Sequence, residues 1–326
     1  MQAFLFNTPA AVGGQALIEG VMMKSKRHYA LALRKKDGTI NLQVFPFRSL
    51  ADKIPFLKLP FLRGIINFGE MMYLGIKSLT FSAEAFEDES TKAVSGSRSI
   101  EYVFTLLISF LLAAGIFIIL PSAGLEFFIP EKEHPVIFNL VRSLIKLLFF
   151  LLYIFVISFS KDIKRVFQYH GAEHKAVNLF ETLKSFPENG INASAAMRMP
   201  TFHPRCGTSF IFFVILISVF TYTFTAWQIS AADYLGLTSG FSGKLLRIAE
   251  KAVLLAANII FLPVSAAIAY EAIRLSFRFS SNRFFSWLLL PGRLFQMLTS
   301  REPDETMVEC ASTALNGVMA AEKASN

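Results

Sequence analysis

The sequence predicts a mainly α-helical polytopic membrane protein. It should have about four transmembrane helices, one amphipathic interfacial helix and a small β-rich amino-terminal segment on the cytoplasmic side. Three observations predict this. Of 326 residues 53% are hydrophobic and the mean hydropathy is +0.48, with the excess gathered into near-continuous apolar blocks. Four of these blocks come near the ~20 residues needed to cross a hydrocarbon layer. The net charge of +8 resides largely in residues flanking those blocks, so topology explains it better than nucleic-acid binding does.

Residues 1–53 read as a polar cytoplasmic segment containing a hairpin. No basic stretch followed by an apolar core occurs in Met1–Ala16, so no cleaved signal peptide is expected there. Gly13 to Met23 mixes glycines with short apolar runs, which favours a strand over a helix. His28–Arg34 and Thr39–Phe47 alternate on either side of Asp37-Gly38, a turn signal between two strands. Glu19, the first acid in the chain, is read as either a functional carboxylate or a solvated or locally paired one.

Residues 54–100 hold the amphipathic helix and a linker. Over Pro55–Phe86 the charges Arg63, Glu70, Lys77 and Glu84 recur every seven positions, a narrow polar stripe on an apolar cylinder. Such a helix lies at an interface more readily than it spans, because its midmost charge is costly in lipid.

Residues 101–272 form the four-span domain. Tyr102–Leu120 and Ala252–Tyr270 are each uncharged for 19 residues, and Gly207–Ala232 for 26. The remaining span is Pro135–Phe159, whose early Arg142 and Lys146 can snorkel to the headgroups. Pro263 should kink the last span. Glu126, Glu131 and Glu133 make the connection between spans one and two acidic, whereas Lys161, Lys164, Arg165, Lys175, Lys184, Arg198 and Arg205 follow span two. The basic sides belong inside, which puts both termini and the 161–206 connection in the cytoplasm of an inner-membrane protein. Residues 273–326 complete it: an apolar stretch at Phe284–Leu290, a turn at Arg301-Glu302-Pro303-Asp304, and a final helix from Asp304 to about Ala321.

The chemistry concentrates in the 161–206 connection. Three of the five histidines and one of the two cysteines fall within 37 positions. On a helix, His170 and His174 share a face, with Glu173 beside them. Two imidazoles one turn apart plus a third donor are an ordinary zinc arrangement, and His203 and Cys206 supply further donors. With all four bound the site is closed and structural. With one absent, Glu173 can act as the base of a hydrolytic reaction. Cys206 beside Arg205, at the start of a span, also has the setting of an activated thiolate. Glu302, Asp304 and Glu309 are candidate oxygen ligands or contacts to a histidine, with a solvated helix start the plainer alternative. Two cysteines make no disulfide framework, and no phosphate-cradling glycine loop occurs.

These segments resemble the YqhQ family of bacterial membrane proteins. The resemblance is carried by Gly13 to Met23, Arg63-Gly64, Tyr169-His170-Gly171-Ala172-Glu173-His174-Lys175, His203-Pro204-Arg205-Cys206-Gly207-Thr208-Ser209-Phe210 and Arg301-Glu302-Pro303-Asp304. It implies a polytopic membrane protein, and by analogy with the label of predicted metal-dependent enzyme it implies that His170, Glu173, His174, His203 and Cys206 form the metal or catalytic group. It implies no substrate.

Two functions follow. One is a metal-dependent hydrolase at the cytoplasmic membrane face, acting on a lipid, lipid-linked or membrane-protein substrate. The other is a non-catalytic scaffold or assembly factor with structural zinc. Expected partners are membrane lipids and a membrane protein, with no nucleic acid. Transport is weaker, because spans one, three and four lack buried charge.

Overall fold

A computed structural model of the chain describes residues 12–86, most of 104–130, and residues 133–183, 186–204, 206–234, 263–275 and 282–325, with isolated positions between them. The described residues are mainly helical, with one small antiparallel sheet at the amino-terminal end. The chain falls into two compact units. The first contains Met1–Glu87, Val156–Phe210 and Glu271–Asn326; the second contains Asp88–Phe155 and Ile211–Tyr270.

In the first unit, strands β1 (Gly13–Leu17), β2 (Gly20–Lys24), β3 (His28–Arg34) and β4 (Ile40–Pro46) pair antiparallel in the order β1-β2-β3-β4. The Asp37-Gly38 hairpin forms as expected, with Gly38 at φ +84° and Asp37 accepting from Thr39 N at 2.9 Å. Gly13 to Met23 is a second hairpin and not a single strand, because the chain reverses at Ile18-Glu19. Glu19 takes the turn at φ +51°, a conformation that glycine or asparagine usually signals. Its carboxylate is held by Arg165 through both oxygens and by the Tyr169 hydroxyl at 3.2 Å. The partner is thus 146 positions away, not local.

Alternation along the strands gives the sheet two buried faces. Ala16, Val21, Met23, Ala30 and Ala32 pack on Tyr169, Ala172, Ala176 and Phe180 of helix α3 (Lys161–Thr182) and on Met307, Ala311, Ala314 and Val318 of helix α6 (Glu305–Ala324). The alanines on both sides let helix and sheet backbones approach closely. On the other face Leu17, Met22, Tyr29, Leu31 and Leu33 meet Leu74 of α1 (Leu62–Phe86). The charged stripe on α1 is dispersed into separate contacts: Arg63 pairs with Glu271, and Glu70 accepts from Ser49 and Leu50.

Helix α6 begins where expected. Asp304 caps it by accepting from Met307 N at 2.9 Å, after Pro303 has ended the preceding backbone. The apolar stretch Phe284–Leu290 belongs to a longer helix, α5 (Arg283–Thr299), with Pro291 in its interior.

In the second unit, helix α2 (Pro135–Ile157) is among the described residues the one long and apolar enough to cross a membrane. Its Ile137–Ile157 segment has a mean hydropathy of 2.4. The predicted third span lies on α4 (Gly207–Tyr234), whose described apolar stretch is Gly207–Phe220. Parts of the first span, among them Tyr102 and Val103, and residues 252–260 and 262 of the fourth lie outside the described residues, as do the linker 87–100 and Arg205.

The carboxy-terminal end of α6 is fastened to the sheet by a buried carboxylate. Glu322 accepts from Ser25 Oγ at 2.6 Å, Arg27 N at 3.1 Å and Arg27 Nε at 3.0 Å, and His28 Nδ1 lies 3.4 Å away. Burial opposes its charge, but these donors hold the carboxyl at about 2, down from 4.5. The folded value is depressed, so the stabilisation is complete above 4.5 and is lost as pH falls through about 2. Replacing Glu322 by Gln should cost about 2 kcal/mol, because the buried Ser25 hydroxyl and the partly exposed Arg27 lose a charged acceptor. Thermal unfolding at neutral pH should show a lower Tm for E322Q, and the gap to the native chain should close at low pH.

Candidate metal centre

Helix α3 positions two of the donors through its own repeat. Tyr169, Ala172, Ala176 and Phe180 face the sheet core, which turns His170, Glu173 and His174 together to the adjoining side. Gly171 allows the chain at Arg301 to lie against this helix. A Cβ there would run into the Arg301 carbonyl, and Arg301 N donates to Phe167 O at 2.9 Å. The next connection is stapled to the same helix. Lys175, itself buried, donates to the Met197 and Met199 carbonyls at 2.7 and 2.8 Å and pairs with Glu302 at 2.7 Å. Asn178 donates to the Pro200 and Phe202 carbonyls, both at 2.9 Å.

These two backbones set the imidazoles. His170 Nδ1 donates to the Thr299 carbonyl at 2.7 Å, and His174 Nδ1 donates to the Thr201 carbonyl. A carbonyl only accepts, so each ring carries its proton at Nδ1 and, when neutral, presents a lone pair at Nε2. His170 Nε2 lies 3.1 Å from Cys206 Sγ. Ligand atoms of His170, His174 and Cys206 all lie within 4.8 Å of one another, and all three residues are buried. The His174 Nε2 atom has no hydrogen-bond partner, and its nearest carboxylate oxygen is Glu173 Oε2 at 3.5 Å. A buried, unpaired nitrogen lone pair costs free energy unless something occupies its direction. A cation held by two imidazole nitrogens and a thiolate fits that requirement.

Cys206 sits at the start of α4, where Thr208 N and Thr208 Oγ1 approach the sulfur at 3.4 and 3.0 Å. Burial opposes ionisation of both partners, but the facing charges outweigh it. The His170 imidazole is pushed up to about 9, and the Cys206 thiol is held well below 9. The pair therefore already supports a thiolate, the form that binds metal.

Glu173 is buried beside this group. Its Cγ occupies the space a side chain at Gly14 would fill: a Cβ there would lie 2.6 Å away. His203 is also buried, but it stands outside the three-donor group. Its ring centroid is 5.7 Å from that of His174, and its Nε2 is 3.3 Å from Glu181 Oε1. Glu302, Asp304 and Glu309 are engaged with Lys175, the α6 cap and Arg34. The plainer alternative holds for these three.

Sequence reasoning missed Thr299, Thr201, Lys175 and Gln296. The first two act through main-chain carbonyls, which leave no side-chain signal. Gln296 clamps the peptide before Cys206, accepting from His203 N at 3.1 Å and donating to His203 O at 2.9 Å and Ser209 Oγ at 2.7 Å. Its partners are 93 and 87 positions away, so no local pattern marks it.

A family model described as "Protein of unknown function (DUF1385)" matches residues 59–321. The "Uncharacterized protein YqhQ" of Bacillus subtilis (strain 168) is 33% identical over 327 residues, covering 95% of this chain and 93% of that protein. No solved structure matches the chain. The chain therefore belongs to the DUF1385 family, with YqhQ of Bacillus subtilis among its relatives.

Proposed function

We propose that the protein is a metal-dependent hydrolase of the cytoplasmic membrane face, acting on a lipid, a lipid-linked precursor or a segment of a membrane protein. The observation that carries this is the buried convergence of His170 Nε2, His174 Nε2 and Cys206 Sγ, with the Glu173 carboxylate 3.5 Å from His174 Nε2. Three protein donors leave a fourth direction for substrate or water, the arrangement of catalytic rather than closed zinc sites. Zinc is the proposed ion because it accepts nitrogen and sulfur donors together; when bound, it supplies Lewis acidity. His170 and His174 hold their lone pairs in place through the Thr299 and Thr201 carbonyls. Glu173 takes the proton of the attacking water, and its burial favours that role by excluding bulk water.

A second reading is a non-catalytic scaffold or assembly factor with a structural metal. Burial of the three donors favours it, as does the proximity of His203.

Membrane integration is part of the proposal, with about four spans, α1 along the interface and both termini inside an inner membrane. The support is α2, of which 11% of the apolar window is buried. Leu140, Leu144, Leu148, Leu152 and Val156 lie exposed along one side at intervals of four. The core helix of a soluble protein would bury such a row. Lipids and a membrane protein are the proposed partners, and the cationic flanks are assigned to the membrane rather than to nucleic acid.

Metal analysis of detergent-purified protein separates the readings. His174→Ala should lose the metal in either case. Glu173→Gln should keep both metal and fold; under the hydrolase reading it abolishes complementation of a null strain, and under the structural reading it leaves complementation intact. Protein that carries no metal and cannot be reloaded with zinc would defeat both. Orientation is checked at Asn189, which is exposed, whereas both native cysteines are buried. Asn189→Cys in intact cells should resist a membrane-impermeant maleimide and react after permeabilisation.

A further inference from the structure

Residues 48–61 of the first unit carry large apolar side chains that are exposed. Two short turns build this segment, helical Leu50–Lys53 and 3-10 helical Pro55–Lys58. Ser49 caps the first, accepting from Ala51 N at 3.2 Å. Glu70 of α1 accepts from Ser49 Oγ at 2.9 Å and from Leu50 N at 2.7 Å. Lys58 pairs with Asp52 at 3.0 Å, and Pro55 and Pro60 restrict the backbone on either side of the second turn. At the far end Phe61 sits at φ +68°, a left-handed conformation that is strained for a bulky residue. Glu271 keeps it there, accepting from Phe61 N at 3.3 Å while Arg63 binds both its oxygens at 2.7 and 2.5 Å.

This scaffolding buries none of the large side chains it presents. Leu50, Ile54, Phe56, Leu59 and Phe61 are between 45% and 64% exposed. Scattered apolar residues are normal on a surface, but five so close together on a strained and braced backbone form a patch with a use. The surrounding charge indicates what the patch meets. Arg48, Lys53 and Lys58 are exposed, and Asp52 is the single acid in residues 48–61. Exposed aromatic and branched side chains within a net cationic segment match the boundary of an anionic bilayer, where rings enter the acyl edge and cationic groups stay with the phosphates.

We infer that residues 48–61 are a membrane-docking prong that inserts Phe56, Leu59 and Phe61 into the headgroup–acyl boundary of an anionic bilayer. The contact is made by the unit that holds the metal centre and is independent of any spanning helix. It rests on the interfacial placing of α1 in the proposed function and adds to it the segment that inserts.

The test uses the full chain with both native tryptophans, Trp227 and Trp287, replaced by Phe and a single reporter, Phe56→Trp, in vesicles of phosphatidylglycerol and phosphatidylcholine. Emission should shift to the blue, lose intensity when the lipids carry brominated acyl chains, and resist aqueous iodide. Ile18→Trp, in the β1–β2 turn, should behave in the opposite way and serves as the control. Quenching of the reporter by iodide and not by brominated lipid overturns the inference. So does a blue-shifted reporter that brominated lipid leaves unchanged, since the ring would then lie under protein. Phe61→Trp repeats the measurement should Phe56→Trp fold poorly. Retention in carbonate-washed membranes, measured on the same variants, reports separately on spanning, so the two readings fail distinguishably.

Discussion

The close approach of helix α3 to the main chain at Arg301 is the constraint on which the centre depends. It exists because position 171 has no side chain: any Cβ there would enter the Arg301 carbonyl. Once the two backbones touch, the Thr299 carbonyl falls within hydrogen-bond distance of His170 Nδ1. That bond selects the tautomer whose free nitrogen faces Cys206. A glycine in a helix interior is unfavourable by about 1 kcal/mol relative to alanine. The loss is offset here by a contact that orders His170.

Polar side chains, from fully buried to exposed, make the remaining long-range connections, and each joins segments far apart in sequence. Lys175 holds the 197–199 carbonyls against α3 while pairing with Glu302. Arg165 and Tyr169 grip the β1–β2 turn through Glu19. Glu322 ties the end of α6 to Ser25 and Arg27. Each is fully satisfied only when all the segments are in place, so the unit around the centre is specified by mutual completion more than by apolar area alone. The same logic applies at Phe61, where Glu271 and Arg63 sustain a backbone conformation the residue would not otherwise adopt.

The hydrogen-bonded shell also reconciles the two readings of the donor group. Carbonyls at both Nδ1 atoms and Thr208 at the sulfur are what any metal centre requires, catalytic or structural. The two proposals differ in the use they make of Glu173, which is buried next to His174. Gly14 supports that placement: Glu173 occupies the volume a side chain there would take.

Local patterns in the chain were enough for the elements whose signals are short-range. Period-two alternation around Asp37-Gly38 marked the β3–β4 hairpin, Pro303-Asp304 marked the start of α6, and the four-residue spacing of His170 and His174 put them on one helical face. The β1–β2 hairpin escaped, because Glu19 occupies a left-handed turn through contacts made by Arg165 and Tyr169, 146 and 150 positions away. Tertiary structure alone decided which further donor joins the histidine pair. Cys206 reaches them and His203 turns toward Glu181, since Gln296 clamps the peptide that separates these two residues. Spacing along a chain determines which side chains share a face, whereas convergence in space depends on backbone contacts between distant segments, and those leave no mark in residue order.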